Sequence, residues 1–173
     1  MAKKVAVVGP ECTGKSSLSA FLADHFRTSW VPEYAREYLD NLGRPYQQED
    51  LLKIARGQLA LEDKLAATSK ELLICDTNLY VIKVWSEYKY GNCDPEILKQ
   101  IADRKYDLYL LTYIDLAWAP DPLREHPYER EELFRIYESE MKNQPVPFVI
   151  IKGEGEQRHQ SAVKAIEQFL LPE

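Results

Sequence analysis

The sequence predicts an α/β fold in which helices cover both faces of a parallel sheet. Short continuous apolar runs, such as Val5 to Val8 and Leu72 to Cys75, are typical of strands buried on both faces. They alternate with stretches whose apolar residues recur at helical spacing, which indicates parallel strands joined by helical crossovers. No internal repeat, low-complexity tract or linker interrupts this alternation. We therefore expect a single domain over residues 1–173.

The first half of the chain contains three predicted strands and three predicted helices. Pro32 ends the second strand, and Gly43 and Pro45 stop the helix that follows, because neither residue type favours the interior of these elements. In order, the predicted elements are a strand at 5–8, a helix from about Ser16, a strand at 30–32, helices at 33–42 and 47–69, and a strand at 72–75.

The second half continues the alternation and adds one irregular segment. Asp94 is a predicted N-cap for the helix that starts at Pro95. Prolines and charged and aromatic residues fill residues 113–130, which we call the lid segment because this composition is typical of a loop or lid. The remaining predicted elements are helices at 79–88 and 95–104, a strand at 108–111, a helix near 133–141, a strand at 148–151 and a helix near 162–170.

Composition and charge favour an ordinary globular protein of the cytoplasm. The net charge is −6, which argues against non-specific nucleic-acid binding, since that requires a basic face. No apolar run approaches the roughly 20 residues of a membrane span, and the N-terminal apolar run is too short for a signal sequence. The three cysteines are widely spaced and predict reduced thiols. We expect no nucleic-acid or membrane partner, and the oligomeric state stays open.

Residues 9–16, GPECTGKS, match the phosphate-loop pattern G-x-x-x-x-G-K-[ST] at every fixed position. Glycines allow backbone N–H groups to turn inward as an anion nest, and the following helix directs its N-terminal amides to the same point. Lys15 supplies a positive charge for phosphates, and the Ser16 hydroxyl can bind Mg²⁺. The residues expected to bind the phosphates of ATP are Gly9, Glu11, Cys12, Thr13, Gly14, Lys15, Ser16 and Ser17.

Asp76 ends a predicted strand and is a candidate ligand of Mg²⁺ or of its waters. A helix cap is the alternative interpretation, and both roles are compatible. Thr77 follows Asp76, where hydrolysing ATPases usually carry a water-activating Glu. No guanine-specificity motif N-K-x-D is present. Phosphoryl transfer to an acceptor molecule is therefore favoured over hydrolysis.

Arg124 and Arg130 in the lid segment are candidates for stabilising the charge of a transferred phosphoryl group. Solvated surface arginines are the alternative. Glu33 and Glu37 share one helical face, and a carboxylate there can accept the proton of an acceptor hydroxyl or bind sugar hydroxyls. Aromatic residues such as Trp85 and Tyr88 could stack a flat ring, although packing in the core is the simpler interpretation of each.

Four segments in this order resemble the ribosylnicotinamide (nicotinamide riboside) kinase domain of bacterial NAD-biosynthesis proteins, within the AAA-type P-loop kinase group. They are GPECTGKSSL, PEYAREYL, ICDTNLYVIKVWSEYKYG and DLAWAPDPLRE. The resemblance covers nearly the whole chain. It implies a three-layer P-loop kinase fold with a sheet of about five strands, for which we expect the order 2-3-1-4-5.

The resemblance also implies roles for individual residues. Asp76 would serve Mg²⁺ or the 5′-hydroxyl of the acceptor, and Arg124 would be the lid arginine, with Arg130 a second candidate. The residues implied to face the acceptor are Glu33, Tyr34, Arg36, Trp118 and Asp121. Better-known members carry an upstream adenylyltransferase module and sometimes a DNA-binding module. Neither is expected here.

These observations predict a kinase that uses ATP and Mg²⁺ to phosphorylate the 5′-hydroxyl of a nucleoside, with nicotinamide riboside as the expected acceptor. Lys15 and Arg124 would neutralise charge, and either Asp76 or Glu33 would be the base. One alternative is a P-loop ATPase or nucleotide-binding regulatory module. Another is a kinase for a different nucleoside, nucleotide or small metabolite.

Overall fold

A five-stranded parallel sheet forms the centre of the structure, a computed structural model that describes residues 1–171. The strands are β1 (Lys3–Val8), β2 (Trp30–Val31), β3 (Leu72–Asp76), β4 (Leu108–Thr112) and β5 (Phe148–Ile151). Their order is β2-β3-β1-β4-β5, and all four pairs are parallel, which confirms the predicted fold class and strand order. The crevice at the carboxyl end of β1, where successive connections run to opposite sides, is the usual ligand site of such sheets.

Helices cover both faces of this sheet, as the alternation of elements predicts. They are α1 (Lys15–His25), α2 (Tyr34–Asp40), α3 (Gln48–Ala66), α4 (Leu79–Tyr90), α5 (Pro95–Asp103), α6 (Arg130–Lys142) and α7 (Gly155–Leu170). Val5 and Val7 of β1 point to the face that packs against α1 and α7, whereas Ala6 and Val8 point to the face covered by α4 and α6. Both sets are buried, which explains the continuous apolar run.

The ends of the elements follow local chemistry. The Asp94 side chain accepts a hydrogen bond from the backbone N–H of Glu96 at 2.8 Å, so the predicted cap of α5 is confirmed. Gly91 ends α4 with a φ of 77°, a left-handed conformation that glycine adopts without strain. Residues 113–129 form neither helix nor strand, and α6 begins directly at Arg130.

Several helices differ by a few residues from their predicted bounds; α3, for example, ends at Ala66 and not at Ser69. The helix predicted at 33–42 is shorter, because Glu33 stays extended after Pro32 and α2 ends at Asp40. The terminal helix α7 begins earlier than its apolar residues suggest, at Gly155. Among residues 1–171, the helices are all too short or too polar to cross a bilayer.

Candidate active site

The phosphate loop connects β1 to α1 in a conformation that requires its glycines. Gly9 has a φ of 146°, and a side chain there would collide with the Thr112 hydroxyl and lie 2.9 Å from the Thr112 carbonyl oxygen. Gly14 is the N-cap of α1 with a φ of 77°. Thr13 is buried, and its hydroxyl pairs with that of Thr112 at 2.6 Å. The loop is therefore anchored to the end of β4 and aims the N-terminus of α1 at the cavity in front of it.

Lys15 folds back over the loop. Its Nζ donates hydrogen bonds to the carbonyl oxygens of Gly9 at 2.9 Å and Pro10 at 2.8 Å. Burial lowers the pKa of Lys15, and the carboxylates of Glu33, Asp76 and Glu11 oppose that shift. The ammonium group thus lies at the position where a nucleotide's terminal phosphates meet a phosphate loop.

Asp76 lies directly behind Ser16. The Ser16 hydroxyl donates a hydrogen bond to Asp76 Oδ2 at 2.6 Å, and Asp76 is only 2% exposed. Burial raises the pKa of Asp76 to about 6, although the Ser16 hydrogen bond acts in the opposite direction. The second carboxylate oxygen, Oδ1, is buried without a hydrogen-bond partner in the described part of the chain. An unsatisfied carboxylate oxygen beside a serine hydroxyl fits a hard cation such as Mg²⁺.

Within residues 1–171, no cluster of three or more His, Cys, Asp or Glu side chains could enclose a metal ion. This agrees with Mg²⁺ chemistry, because that ion is usually held by one or two protein ligands together with waters and substrate phosphates. Ser16 and Asp76 are such a partial set.

Thr77 occupies the position after Asp76 and is buried. Its backbone N–H donates to the carbonyl oxygen of Val7 at 3.0 Å, and its φ of 70° is unusual for a residue other than glycine. The next residue, Asn78, caps α4 by accepting a hydrogen bond from the backbone N–H of Tyr80 at 3.0 Å. The cap expected as an alternative for Asp76 is therefore made by Asn78, and the Asp76 carboxylate stays available to Ser16.

Glu33 and Arg36, at the start of α2, line the cavity in front of the phosphate loop. The Glu33 carboxylate makes no hydrogen bond with any residue in 1–171, and Arg36 pairs with Asp121 of the lid segment at 3.3 Å. The structure does not bring Tyr34 into the cavity. Its ring packs against Gly57 of α3, where the glycine lacks a side chain that would clash.

The lid segment contacts the phosphate loop through hydrogen bonds at Glu11 and Cys12. The Glu11 carboxylate accepts hydrogen bonds from the backbone N–H groups of Glu125 at 3.0 Å and His126 at 3.1 Å. The Cys12 sulfur accepts from the backbone N–H of Ala119 at 3.1 Å. Arg130 donates to the carbonyl oxygen of Cys12 at 3.1 Å, and it does not line the cavity.

Of the lid residues expected to act on ligands, Arg124 lines the cavity. Its guanidinium donates to the carbonyl oxygen of Ala119 and lies 6.0 Å from the ring centre of Trp118. Trp118 itself lies outside the cavity, between Arg124 and Arg130. Asp121 also lies outside it, where Arg36 and the backbone N–H of Leu123 lower its pKa.

The cavity has an empty volume of about 1150 Å³, part of it open to solvent. The phosphate loop forms one end, and the cavity continues past Glu33 to a wall made by α4 and α6. The predicted residues that line it are Gly9, Glu11, Cys12, Thr13, Gly14, Lys15, Ser16, Ser17, Glu33, Arg36 and Arg124. The wall made by α4 and α6 therefore lines a part of the cavity that lies beyond the phosphate loop.

Sequence reasoning missed part of this wall. Val84 and Tyr137 line it and were not expected there. Trp85 and Tyr88 also line it, although the sequence favours packing in the core as the simpler interpretation of their aromatic rings. Arg158 of α7 is also missed. Its buried guanidinium donates to the carbonyl oxygen of Thr13 at 2.6 Å and supports the phosphate loop from below. An arginine in an amphipathic helix carries no sequence signal for such a contact.

Comparison with known proteins extends the structural result. The chain is 26% identical over 160 residues to the trifunctional NAD biosynthesis/regulator protein NadR of Escherichia coli (strain K12). The alignment covers 88% of this chain but 38% of NadR, so the chain spans less than half of the length of that relative.

Two crystal structures of NadR protein share the fold. The complex with NR has a TM-score of 0.80 at 21% identity and is matched over 99% of this chain and 52% of that one. The complex with NAD and AMP-PNP has a TM-score of 0.75 at 24% identity, with 99% and 50% covered.

The expected resemblance to the kinase domain of bacterial NAD-biosynthesis proteins is thereby confirmed. In addition, a family model described as an AAA domain matches residues 4–158, from the first strand to the buried arginine of α7. That span contains the phosphate loop, Asp76 and the whole lid segment. The chain belongs to the AAA domain family.

Proposed function

We propose that this chain is a kinase that transfers the γ-phosphoryl group of ATP to the 5′-hydroxyl of a nucleoside. The observation that carries the proposal is the continuous cavity, which has a phosphate cradle at one end and space for a second ligand at the other. A hydrolase needs only water beyond the phosphates, whereas a kinase needs a bound acceptor. Thr77, in place of a water-activating Glu, supports the same conclusion.

The nucleotide end of the site consists of groups that bind negative charge. The loop amides and the N-terminus of α1 receive the phosphates, and Lys15 exchanges its hydrogen bonds with two loop carbonyls for contacts with phosphate oxygens. Arg124 lies across the cavity and stabilises the charge that spreads over the transferred group.

Mg²⁺ is the proposed metal, and Ser16 and Asp76 are the residues that would hold it. When bound, it neutralises phosphate charge. The support for this assignment is the Asp76 oxygen that has no hydrogen-bond partner among the described residues.

The acceptor end offers Glu33 as the group that orients the 5′-hydroxyl and takes its proton. The Glu33 side chain lines the cavity and has no hydrogen-bond partner within residues 1–171, whereas Asp76 is outside the cavity lining, with one oxygen bound by Ser16 and the other buried. This geometry supports Glu33 as the base and leaves Asp76 to position Ser16. The lid segment then excludes water from the transfer.

Nicotinamide riboside is the acceptor we propose. The relatives aligned over most of the chain are named for NAD biosynthesis, and one NadR structure of the same fold holds NR. We further propose that residues 1–173 act as one domain and that residues 113–130 act as its lid.

The test is the rate of ADP release from ATP and Mg²⁺, with nicotinamide riboside, other ribonucleosides, deoxynucleosides or no acceptor. We expect release that depends on the acceptor and is fastest with nicotinamide riboside. Equal release without any acceptor would identify an ATPase instead, and a preference for another nucleoside would replace the proposed acceptor.

Two variants connect this activity to the site. Lys15→Ala removes the ammonium group that meets the phosphates, so turnover should fall by several orders of magnitude. Arg124→Ala should lower turnover while ATP affinity, measured by calorimetry, stays near that of the wild type, because this arginine acts mainly on the transferred group. Near-normal rates in both variants would contradict the site assignment.

A further inference from the structure

The wall formed by α4 and α6 contains a polar group that has no assigned task. Three of its side chains, Trp85, Tyr88 and Tyr137, combine an aromatic ring with a hydrogen-bonding atom. Around them the wall is apolar, with Val81, Val84 and Leu133. A ligand in this half of the cavity would therefore find few places to form hydrogen bonds.

Two of the three polar atoms are already used within the protein. Trp85 Nε1 donates to the hydroxyl of Tyr46 at 2.9 Å. The Tyr88 hydroxyl donates to Glu132 Oε2 at 2.8 Å. Neither group can donate to a ligand without giving up its present partner.

The Tyr137 hydroxyl is different. The residue is 4% exposed, and its ring packs in the core cluster that includes Val84, Leu111 and Leu133. Its hydroxyl makes no hydrogen bond to any residue in 1–171. The hydroxyl oxygen is also not fully buried, since the fully buried atoms without a partner in that range belong to Asp76 and Arg158. The residual exposure of Tyr137 therefore includes the hydroxyl, which opens to the cavity. A largely buried tyrosine hydroxyl usually has a partner, so this one is available to a ligand.

The charges around Tyr137 indicate what kind of ligand atom it meets. Burial raises the pKa of Tyr137, and the carboxylates of Glu33 and Glu11 raise it further. The hydroxyl is thus protonated and can donate. A protonated hydroxyl can donate to the oxygen of a neutral alcohol.

We propose that the Tyr137 hydroxyl binds a ribose hydroxyl of the acceptor and so is a specificity-determining residue of this site. The inference rests on the proposed kinase function and adds one contact to it. The ring, packed in the core, places the donor on the wall that α6 contributes to the cavity, and Glu33 lines the same cavity. The acceptor's sugar would then be held between a carboxylate that accepts and a hydroxyl that donates.

Tyr137→Phe is the direct test, because it removes one oxygen and keeps the ring. The KM for nicotinamide riboside should rise about 3- to 10-fold, the loss expected for one neutral hydrogen bond, while the KM for ATP stays unchanged. The midpoint of urea unfolding should also stay unchanged, since no protein group loses a partner. An unchanged acceptor KM, or an effect confined to the KM for ATP, would overturn the inference.

Tyr106→Phe is the matched control. The Tyr106 hydroxyl donates to buried Glu62 at 2.7 Å, and this residue does not line the cavity. The control should therefore lower the unfolding midpoint and leave both KM values unchanged. If both variants changed the acceptor KM alike, the effect of Tyr137→Phe would be structural and the inference would be wrong.

Acceptor analogues without the 2′- or the 3′-hydroxyl complete the test. The analogue that lacks the ribose hydroxyl bound by Tyr137 should bind wild type and Tyr137→Phe equally well, because it cannot form the hydrogen bond that the substitution removes. If the substitution weakened both analogues as much as the parent nucleoside, Tyr137 would not contact a ribose hydroxyl.

Calorimetry with nicotinamide riboside and ADP, a mixture that cannot react, separates this inference from the proposed function. Binding that weakens in Tyr137→Phe, in a protein without kinase turnover, would refute the function and retain the contact. Turnover with binding that is indifferent to the substitution would refute the contact and retain the function.

Discussion

At the scale of single residues, the chemistry depends on groups that the fold holds in unfavourable surroundings. Asp76 is buried with one oxygen lacking a partner, and Lys15 is held among carbonyl oxygens instead of in water. Each state costs free energy in the empty protein. A nucleotide with its cation would supply partners for both groups. Part of the binding free energy would then come from removing these two unfavourable interactions of the empty protein.

Asp76→Asn tests this at the level of stability. The raised pKa, about 6 against an ordinary 3.8, means that folding favours the protonated acid. The resulting stability is present at low pH and is lost as the pH rises through about 6. The amide is neutral at every pH and can still accept from Ser16.

The variant should therefore match the wild type at about pH 4 and exceed its free energy of unfolding at neutral pH by up to about 3 kcal/mol. Urea denaturation of the nucleotide-free proteins across this pH range measures the difference. A variant that is less stable than the wild type at neutral pH would contradict the assigned burial penalty.

At the scale of elements, the lid segment is controlled by the variable positions of the phosphate loop. Glu11 and Cys12, which the phosphate-loop pattern leaves free, contact the lid backbone directly. Sequence reasoning identified the lid from its prolines and the loop from its glycines. The contact between them joins residues more than 100 positions apart, so no local pattern could show it.

Glu11→Ala removes two hydrogen bonds to the lid backbone, both accepted by a charged group. We expect amide hydrogen exchange at Glu125 and His126 to accelerate by about tenfold or more in the nucleotide-free protein. Glu138→Ala is the control, since it removes an exposed ion pair with Lys142 on α6 and should leave the lid amides unchanged. Unaltered exchange in Glu11→Ala would show that Glu11 does not hold the lid.

Elements whose position follows from local rules are the ones that the sequence predicts well. The strands are short apolar runs next to turn residues, and β5 has the predicted bounds of 148–151. By contrast, the expectation that Tyr34 and Trp118 lie at the acceptor site came from their aromatic rings and from the family resemblance. In the structure, packing against Gly57 and the lid arginines takes both rings out of the cavity.

At the scale of the whole molecule, the parallel sheet follows from the βαβ alternation and its strand order from the family resemblance. The ties between distant layers follow from neither. Glu62 of α3 is fully buried and accepts hydrogen bonds from Lys4 of β1 at 2.9 Å and from Tyr106 at 2.7 Å. Arg104 approaches the same carboxylate at 3.4 Å. In the sequence, Glu62 looks like an ordinary charged residue of a long helix, and nothing in the local pattern indicates that it is buried.

Removing this carboxylate should weaken the whole fold. Glu62→Ala leaves Lys4 and the buried hydroxyl of Tyr106 without their partner, whereas Arg104 keeps its pair with Asp63. We expect a loss of about 3 kcal/mol or more in the free energy of unfolding. Asp103→Ala, which breaks an exposed pair with Lys99 on α5, should cost less than about 1 kcal/mol. Equal losses in the two variants, measured by chemical denaturation, would contradict a structural role for the buried carboxylate.

The central claim is that the cavity passes a phosphoryl group to an alcohol and not to water. Product analysis by mass spectrometry and ³¹P NMR tests it most directly, after incubation of the protein with ATP, Mg²⁺ and nicotinamide riboside. We expect one phosphomonoester on the 5′-oxygen for each ADP released, and no such product from the 5′-deoxy analogue. Inorganic phosphate as the sole phosphorylated product besides ADP would contradict it.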